Sequence, residues 1–239
     1  MVLASLTDSY SRTARLMPAL LIALPISVTA IAAIPAAVSW WERLGSLVIA
    51  SGVPVLATQV VRDGGRRVQE KLYAAWGGPP TTALLRWAGP EPQVVVGRRH
   101  ELLAQVVGYN LPDEQEEAHD PAAADDVYAM ATTALRERTR GERFSLLLRE
   151  NVSYGFRRNL LGSRVIGIGA ALLAAAAAAI FGWGHLWFST PVSGAIALIV
   201  FDLLCVVTWW RIVTASWVRR AAEIYAHRLF DSLETLAGE

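Results

Sequence analysis

The sequence of 239 residues is poor in cysteine, in lysine and in charge of either sign. Cys205 is its single cysteine, which excludes a disulfide scaffold. Charged residues make up 18% of the chain and aromatic residues 9%, the opposite of a disordered composition. With 22 basic and 21 acidic residues the net charge is +1, so no charge excess indicates a nucleic-acid partner. So few charges, with a mean hydropathy of +0.35, are typical of a membrane protein.

The motifs of common enzyme classes are also missing. The chain has no G-x-S-x-G, no H-E-x-x-H and no kinase signature. Its histidines show no pairing with a nucleophile, and no His/Cys set has the spacing of a zinc site. Cys205 lies in an apolar run, where cysteine behaves as a small apolar residue. We therefore predict that the protein is not an enzyme and that it holds no metal or cofactor.

Long apolar runs are the chain's main feature. A helix needs about 20 apolar residues to cross about 30 Å of hydrocarbon. Four runs reach or approach this length: Met17–Val38, Leu44–Val61, Val165–Phe188 and Ser189–Trp210. Short linkers join them into two hairpins. These runs predict an all-α polytopic membrane protein with two transmembrane hairpins, a helical cytoplasmic insert and a C-terminal cytoplasmic helix.

The arginines predict the orientation of these runs. Of the 22 basic residues, 21 fall on one side of the four spans, and Arg43 alone lies in an outer turn. The positive-inside rule makes the first side cytoplasmic, with both termini inside a bacterial inner membrane. The first run could instead be a signal peptide cleaved near Ala37. Its apolar core is longer than that of a signal peptide, however, and a second run follows at once.

Four segments follow from this layout. Residues 1–61 hold the first hairpin, 62–162 the insert, 163–211 the second hairpin and 212–239 the C-terminal helix. The insert carries 14 basic and 14 acidic residues. Its turn signals predict that the second span continues to Trp76, and they predict helices at Ala83–Trp87, Val95–Val107, 121–140 and 144–161. The acidic stretch 113–126 is predicted to be a solvated loop.

Three blocks of residues in the insert carry a resemblance. They are Arg62-Asp63-Gly64-Gly65-Arg66 with Trp76-Gly77-Gly78-Pro79-Pro80-Thr81-Thr82 and Leu85-Arg86; Asp120-Pro121 with Ala124-Asp125; and Glu150-Asn151 with Tyr154-Gly155-Phe156-Arg157-Arg158-Asn159-Leu160-Leu161-Gly162. Over residues 60–165 the chain resembles a bacterial family of small four-span membrane proteins. The resemblance implies the four-span layout, and it assigns no particular activity to the chain. Proteins of this layout occur among bacterial stress and anti-phage effectors, which is an analogy of layout only.

Asp202 is the chief candidate residue because it lies inside an apolar run. A carboxylate in the bilayer costs about 3 kcal/mol, so it should face the bundle interior, water or a partner. One interpretation is a pore-lining or proton-binding group, with Cys205 on the same helix face. The other is a carboxyl that holds helices together through Ser27, Thr29, Ser51 or Thr58.

Two further candidate sites lie at the edges of the insert. Juxtamembrane arginines would form a positive cytoplasmic mouth or bind anionic lipid and set the topology; they are Arg62, Arg66, Arg67, Arg157 and Arg158. A glycine-rich turn would bind a ligand, serve assembly, or be purely structural and packed by Trp76 and Trp87; its residues are Trp76, Gly77, Gly78, Thr81 and Thr82.

These features support two main hypotheses. The first is a homo-oligomeric inner-membrane protein that conducts ions or permeabilises the membrane and is gated by its cytoplasmic insert. The alternative is a membrane-anchored binding or scaffold module whose insert binds a protein or a small ligand. A secondary transporter ranks third, because the hairpins lack matched broken helices. The predicted partners are the lipid bilayer, further copies of the chain and a cytoplasmic protein or small ligand.

Overall fold

A computed structural model describes residues 12–33, 40–183 and 192–238, with side chains for 13–32, 58–180 and 192–238. Helices make up 86% of this described part, and it contains no strand. The prediction of an all-α protein is confirmed. The helices are α1 (Met17–Ala33, after a π-helical turn at Arg12–Leu16), α2 (Trp40–Trp76), α3 (Pro80–Ala83), α4 (Gln93–Val107), α5 (Glu114–His119), α6 (Pro121–Arg138), α7 (Ser145–Gly162), α8 (Arg164–Trp183), α9 (Val192–Arg211) and α10 (Ala215–Ala237).

The chain divides into two compact units. We call the described residues up to Gln69 together with Gly155–Val218 the apolar unit, and Glu70–Tyr154 together with the described residues from Arg219 onward the polar unit. The segment borders predicted from hydropathy, at residues 62, 163 and 212, differ from the borders between these two units. They mark the ends of apolar runs, whereas α2, α7 and α10 each contribute residues to both units.

Among the described residues, two helices are long and apolar enough to cross a membrane: Thr13–Ala32, which includes α1, and Val192–Arg211, which is α9. A third span results if the pair Glu142–Gly162 and Arg164–Ile180, bent by 60° at Ser163, is counted as one. The predicted second run, Leu44–Val61, lies almost entirely outside the described side chains, and so does the end of the third beyond Ile180. Two spans suggest membrane association, and the predicted four remain a prediction.

Small side chains form the interior of the apolar unit. Helix α8 packs along α9 and against α1. It buries Ala170, Ala171, Ala174 and Ala178, while large side chains such as Leu173 point outward. Small buried residues let helix backbones approach closely where lipid supplies no hydrophobic force between helices. The alanine run therefore serves packing between helices of one chain.

Helices α2 and α7 touch through glycine. A Cβ at Gly64 would lie 2.9 Å from the carbonyl oxygen of Gly162, and a Cβ at Gly162 would clash with the backbone of Gly64 and Gly65. Beside this crossing, Asn159 is buried and donates from Nδ2 to the carbonyl of Ala14, 2.6 Å away. The first and third blocks of the sequence resemblance thus meet at one helix crossing.

The polar unit is built around large apolar side chains. Its core contains leucines of α4, α6 and α10 together with the fully buried Tyr128. The C-terminal helix α10 supplies Leu229 and Leu233 to this core, both of them fully buried. Residues 62–162 alone would therefore lack part of the core that packs α4 and α6.

Two local predictions in the polar unit are wrong. The acidic stretch was expected to be a loop, but α5 forms because Asp113 accepts from the backbone of Gln115 and Glu116 while the Glu116 side chain accepts from the backbone of Asp113. The helix expected over Ala83–Trp87 ends at Ala83 instead, since the N–H of Trp87 bonds to the Glu117 carboxylate.

Candidate functional sites

Asp202 lies inside the apolar unit. Its side chain on α9 is fully buried, and Oδ2 accepts a hydrogen bond of 3.2 Å from the hydroxyl of Thr29 on α1. Oδ1 is buried and has no hydrogen-bond partner among the described residues. The carboxyl therefore joins α1 to α9, which are both long and apolar enough to span a membrane. Of the partners that the sequence suggested, Thr29 is the one that bonds to it.

In the described part, Thr29 is the hydrogen-bond partner of Asp202, and the other polar residues proposed for this site do not share that role. Cys205 is half-buried one turn further along α9. Thr58 is half-buried on α2 and makes a polar contact of its own. The side chain of Ser51 lies outside the described residues. Gly167 leaves room for the ring of the buried Trp209, since a Cβ there would clash with the indole.

The predicted basic residues lie in the second half of α2 and near the end of α7. Arg66 and Arg67 are exposed, and Arg62 is half-buried. Arg157 donates to the carbonyl of Trp217 over 3.2 Å and lies 4.9 Å from that indole ring. Arg158 donates to the side chain of Gln69. These contacts hold the guanidinium groups of α7 against neighbouring helices of the apolar unit.

The glycine-rich turn has a structural role in the polar unit. Gly77 (φ +75°) and Gly78 (φ +125°) take backbone angles that favour glycine, and the N–H of Gly78 bonds to the carbonyl of Tyr73. Thr82 is buried and Thr81 half-buried. Trp76 packs beside Tyr73 at 6.1 Å, and the guanidinium of Arg219 lies over its ring. The turn ends α2 and redirects the chain into α3.

A buried carboxylate that sequence reasoning missed organises the polar unit. Glu117 is 6% exposed. Its carboxylate accepts from the backbone N–H of Trp87 (3.0 Å) and of Ala88 (3.1 Å) and from the hydroxyl of Tyr128 (2.7 Å). Burial, followed by this hydrogen bond, raises the pKa of Tyr128. The Asp-x-x-Glu capping signal at Asp113 was the clue that places Glu117 on a helix.

Two further contacts complete this network. The Arg86 guanidinium holds the Asp125 carboxylate through two hydrogen bonds, one of them 2.7 Å long, and this pairing raises the pKa of Arg86. His100 bonds through Nε2 to the carbonyl of Leu85 at 2.7 Å, so this nitrogen carries the proton, and burial lowers its pKa. Arg86 and Asp125 come from separate blocks of the sequence resemblance, and the fold joins them.

The exposed face of α6 carries a shallow groove. Its volume is about 650 Å³, and its lining is Tyr109, Asp126, Ala129, Met130, Thr133 and Ala134. Met130 is 58% exposed and Tyr109 40% exposed, so two large apolar side chains face solvent together. The acidic side chain of Asp126 borders them. In the described part of the chain, no group of three or more His, Cys, Asp or Glu residues is arranged to hold a metal ion.

Comparison with protein-family models, curated proteins and solved structures yields no match to this chain. The resemblance drawn from residues 60–165 therefore stays a prediction. What the structure adds is that residues from its separate blocks contact one another, Gly64 with Gly162 and Arg86 with Asp125.

Proposed function

We propose that the chain is a multi-pass protein of a bacterial inner membrane, with four spans and both termini in the cytoplasm. The two apolar helices and the outward-facing large side chains of the apolar unit support this topology. The one-sided distribution of arginine supports the orientation. The family resemblance stated above supports the number of spans.

Within that topology we propose a membrane-anchored binding module. The polar unit binds a cytoplasmic protein, and the apolar unit holds it at the membrane. The groove at Tyr109 and Met130 carries this proposal, since large apolar side chains exposed side by side mark interaction surfaces more often than isolated ones. The polar unit contains 12 basic and 17 acidic residues, which favours a partner segment with basic and apolar side chains.

Site-specific photo-crosslinking in cells tests this module. A photoreactive phenylalanine analogue replaces Met130 in the full-length membrane-bound chain. The matched control carries it at Val94, an apolar residue of α4 that is 85% exposed. We expect one discrete protein adduct from position 130, weakened by Asp126→Lys, and none from position 94. Equal labelling at both positions would show that the groove has no dedicated partner.

An ion-conducting homo-oligomer gated by the polar unit is the second candidate. The observation that favours it is the second oxygen of Asp202, which is buried and has no hydrogen-bond partner among the described residues. Such a group is available to a proton or a small cation when helices shift. Asp202 already accepts a hydrogen bond from Thr29 of the same chain, so its burial needs no conduction path to explain it. We therefore rank this candidate below the binding module.

Subunit number and ion flux separate the two candidates. Native mass spectrometry of the protein in mild detergent counts the subunits. A ring of four or more subunits, with flux in liposomes that Asp202→Asn abolishes and Thr208→Val leaves intact, would favour conduction. A monomer or dimer without flux would favour the binding module. Thr208 is a suitable control because its hydroxyl is exposed and its described hydrogen bond stays within α9, to the carbonyl of Leu204.

A further inference from the structure

Basic residues of the two units differ in how they are paired. Several arginines of the polar unit have a carboxylate partner, as Arg86 has Asp125 and Arg228 has Asp231. Six arginines of the apolar unit have no carboxylate within 4.0 Å in the described part of the chain: Arg62, Arg66, Arg67, Arg157, Arg164 and Arg211. The sequence agrees, since the apolar unit as a whole holds ten basic residues against four acidic ones.

The fold gathers these six arginines at one end of the apolar unit. Arg164 opens α8 and donates to the carbonyl of Trp210 over 2.9 Å, which brings the start of α8 to the end of α9, next to Arg211. The contact of Gly64 with Gly162 brings the arginines of α2 to the same junction. The charge is therefore concentrated around the junction of α7 with α8 and the end of α9.

Aromatic rings lie beside two of these arginines and leave their N–H donors free for other partners. Arg211 lies 5.7 Å from the ring of Trp210, which is 59% exposed, and Arg157 lies over Trp217. A guanidinium has five N–H donors, and a single carbonyl uses one or two of them. The remaining donors match the paired oxygens of a phosphate. Exposed tryptophan beside arginine is also typical of the headgroup level of a bilayer.

We propose that this end of the apolar unit binds anionic phospholipid headgroups. The phosphodiester and the negative headgroup supply the charge that the chain itself leaves unmatched around Arg157, Arg164 and Arg211. The acyl chains lie along the outward-facing apolar side chains of α8 and α9, such as Val165 and Val207. The headgroup is thus recognised by the arginines and the tails by the helix surface.

Tryptophan quenching by brominated lipid tests the proposal. Full-length protein is reconstituted in phosphatidylcholine vesicles with increasing brominated phosphatidylglycerol, and the relative association constant is taken from the loss of fluorescence. The variant R157Q/R164Q/R211Q is compared with R98Q/R140Q/R228Q, which removes the same charge from exposed, ion-paired positions of the polar unit. We expect preference for the anionic lipid to fall about fivefold for each removed arginine in the first variant, the equivalent of about 1 kcal/mol per charge. The second should match the wild type.

Single variants of Arg211 and a competition with inorganic phosphate test the proposal even if the triple variant is poorly folded. Arg211→Gln alone removes a side chain whose described contact is one ring, and Arg211→Lys keeps the charge. We expect the first to lose preference and the second to retain most of it. Excess inorganic phosphate at constant ionic strength should not displace the lipid. Equal preference in Arg211→Gln and wild type, or displacement by inorganic phosphate, would overturn the proposal.

Discussion

The two units bury opposite kinds of side chain. The apolar unit exposes leucine and isoleucine, such as Leu173 and Ile180 at 68% each, and buries alanine together with Asp202 and Asn159. The polar unit buries leucine and tyrosine, such as Leu103 and Tyr128, and exposes most of its charged residues. In each unit the exposed surface matches one solvent, lipid for the first and water for the second.

This difference shows which force holds each unit together. In water, burying a leucine side chain stabilises a fold by about 1.5–3 kcal/mol, so large side chains form the core. In lipid that gain is absent, and helices associate through close backbone packing and interhelical hydrogen bonds. The Gly64–Gly162 contact and the Thr29–Asp202 bond are examples of the second kind. Substitutions should therefore act by different rules in the two units.

The largest effect is expected at the buried carboxylate of the polar unit. Glu117→Ala leaves the N–H groups of Trp87 and Ala88 and the hydroxyl of Tyr128 without their acceptor. We expect a loss of about 3–5 kcal/mol of unfolding free energy, as for other buried groups left unpaired. Thermal unfolding of the purified protein in detergent measures it.

The control for this substitution lies one turn away on the same helix. Glu114 is exposed and accepts a single hydrogen bond from Gln93, so Glu114→Ala should change the unfolding free energy by less than about 0.5 kcal/mol. Similar losses for the two alanine variants would mean that burial of Glu117 does not determine its contribution. The proposed difference in stability between buried and exposed carboxylates of the polar unit would then be wrong.

A glycine of the apolar unit should come next. Gly162→Ala places a Cβ against the backbone of Gly64 and Gly65, where no side chain can move aside. Overpacking of this kind costs about 2–3 kcal/mol. The control is Gly169→Ala on α8, where a Cβ meets nothing within 4 Å and helix propensity improves. A thermal midpoint lowered by both variants, or by neither, would contradict close packing as the force in this unit.

The hydrogen bond between spans should contribute less. Thr29→Val keeps the shape of the buried side chain and removes the donor to Asp202. Interhelical hydrogen bonds in membranes contribute about 0.6 kcal/mol on average, so we expect a loss of about 1 kcal/mol or less. Thr208→Val, at an exposed position of α9, serves as the control in the same unfolding assay. A loss far above 2 kcal/mol would indicate that Asp202 depends on this one donor.

The smallest effect concerns pH and His100. Burial lowers the pKa of His100 in the folded protein, so folding favours the neutral ring. The resulting stability is complete above the ordinary value of 6.5 and is lost as the pH falls through the folded-state pKa. His100→Gln should therefore flatten the decline of the thermal midpoint on acidification. His119→Gln, at an exposed position, should leave the wild-type slope unchanged, and equal slopes in all three proteins would refute this role.

Helix ends were predictable where a capping residue in the local sequence was sufficient to end or begin the helix. Gly77 ends α2 and Gly108 ends α4 as the sequence indicates, and Asp120 caps α6 by accepting from the N–H of Ala123. The short helix α3 was not predictable in the same way. Its end depends on Glu117, which accepts a hydrogen bond from the backbone N–H of Trp87, 30 residues earlier in the chain. A longer helix would have used that N–H for its own backbone bonding.

The candidate sites also have some properties that local sequence predicts and others that depend on distant contacts. That Asp202 would face the interior followed from the cost of a carboxylate in lipid, but the choice of Thr29 from four candidate partners required the packing of α1 on α9. The positive charge of Arg157 and Arg158 near a membrane was evident from their position before an apolar run. Their contacts with Trp217 and Gln69 depend on neighbouring helices that the sequence does not place.

By itself, the sequence determined the helical class, the apolar segments and most helix ends of this protein. These properties depend on the solvent preference and the backbone angles of residues close together in the chain. The tertiary structure alone decided that Gly64 meets Gly162, that Arg86 pairs with Asp125, and that Glu117 is buried. Such contacts join residues far apart in the sequence, and their free energy exists only when several helices have packed at once.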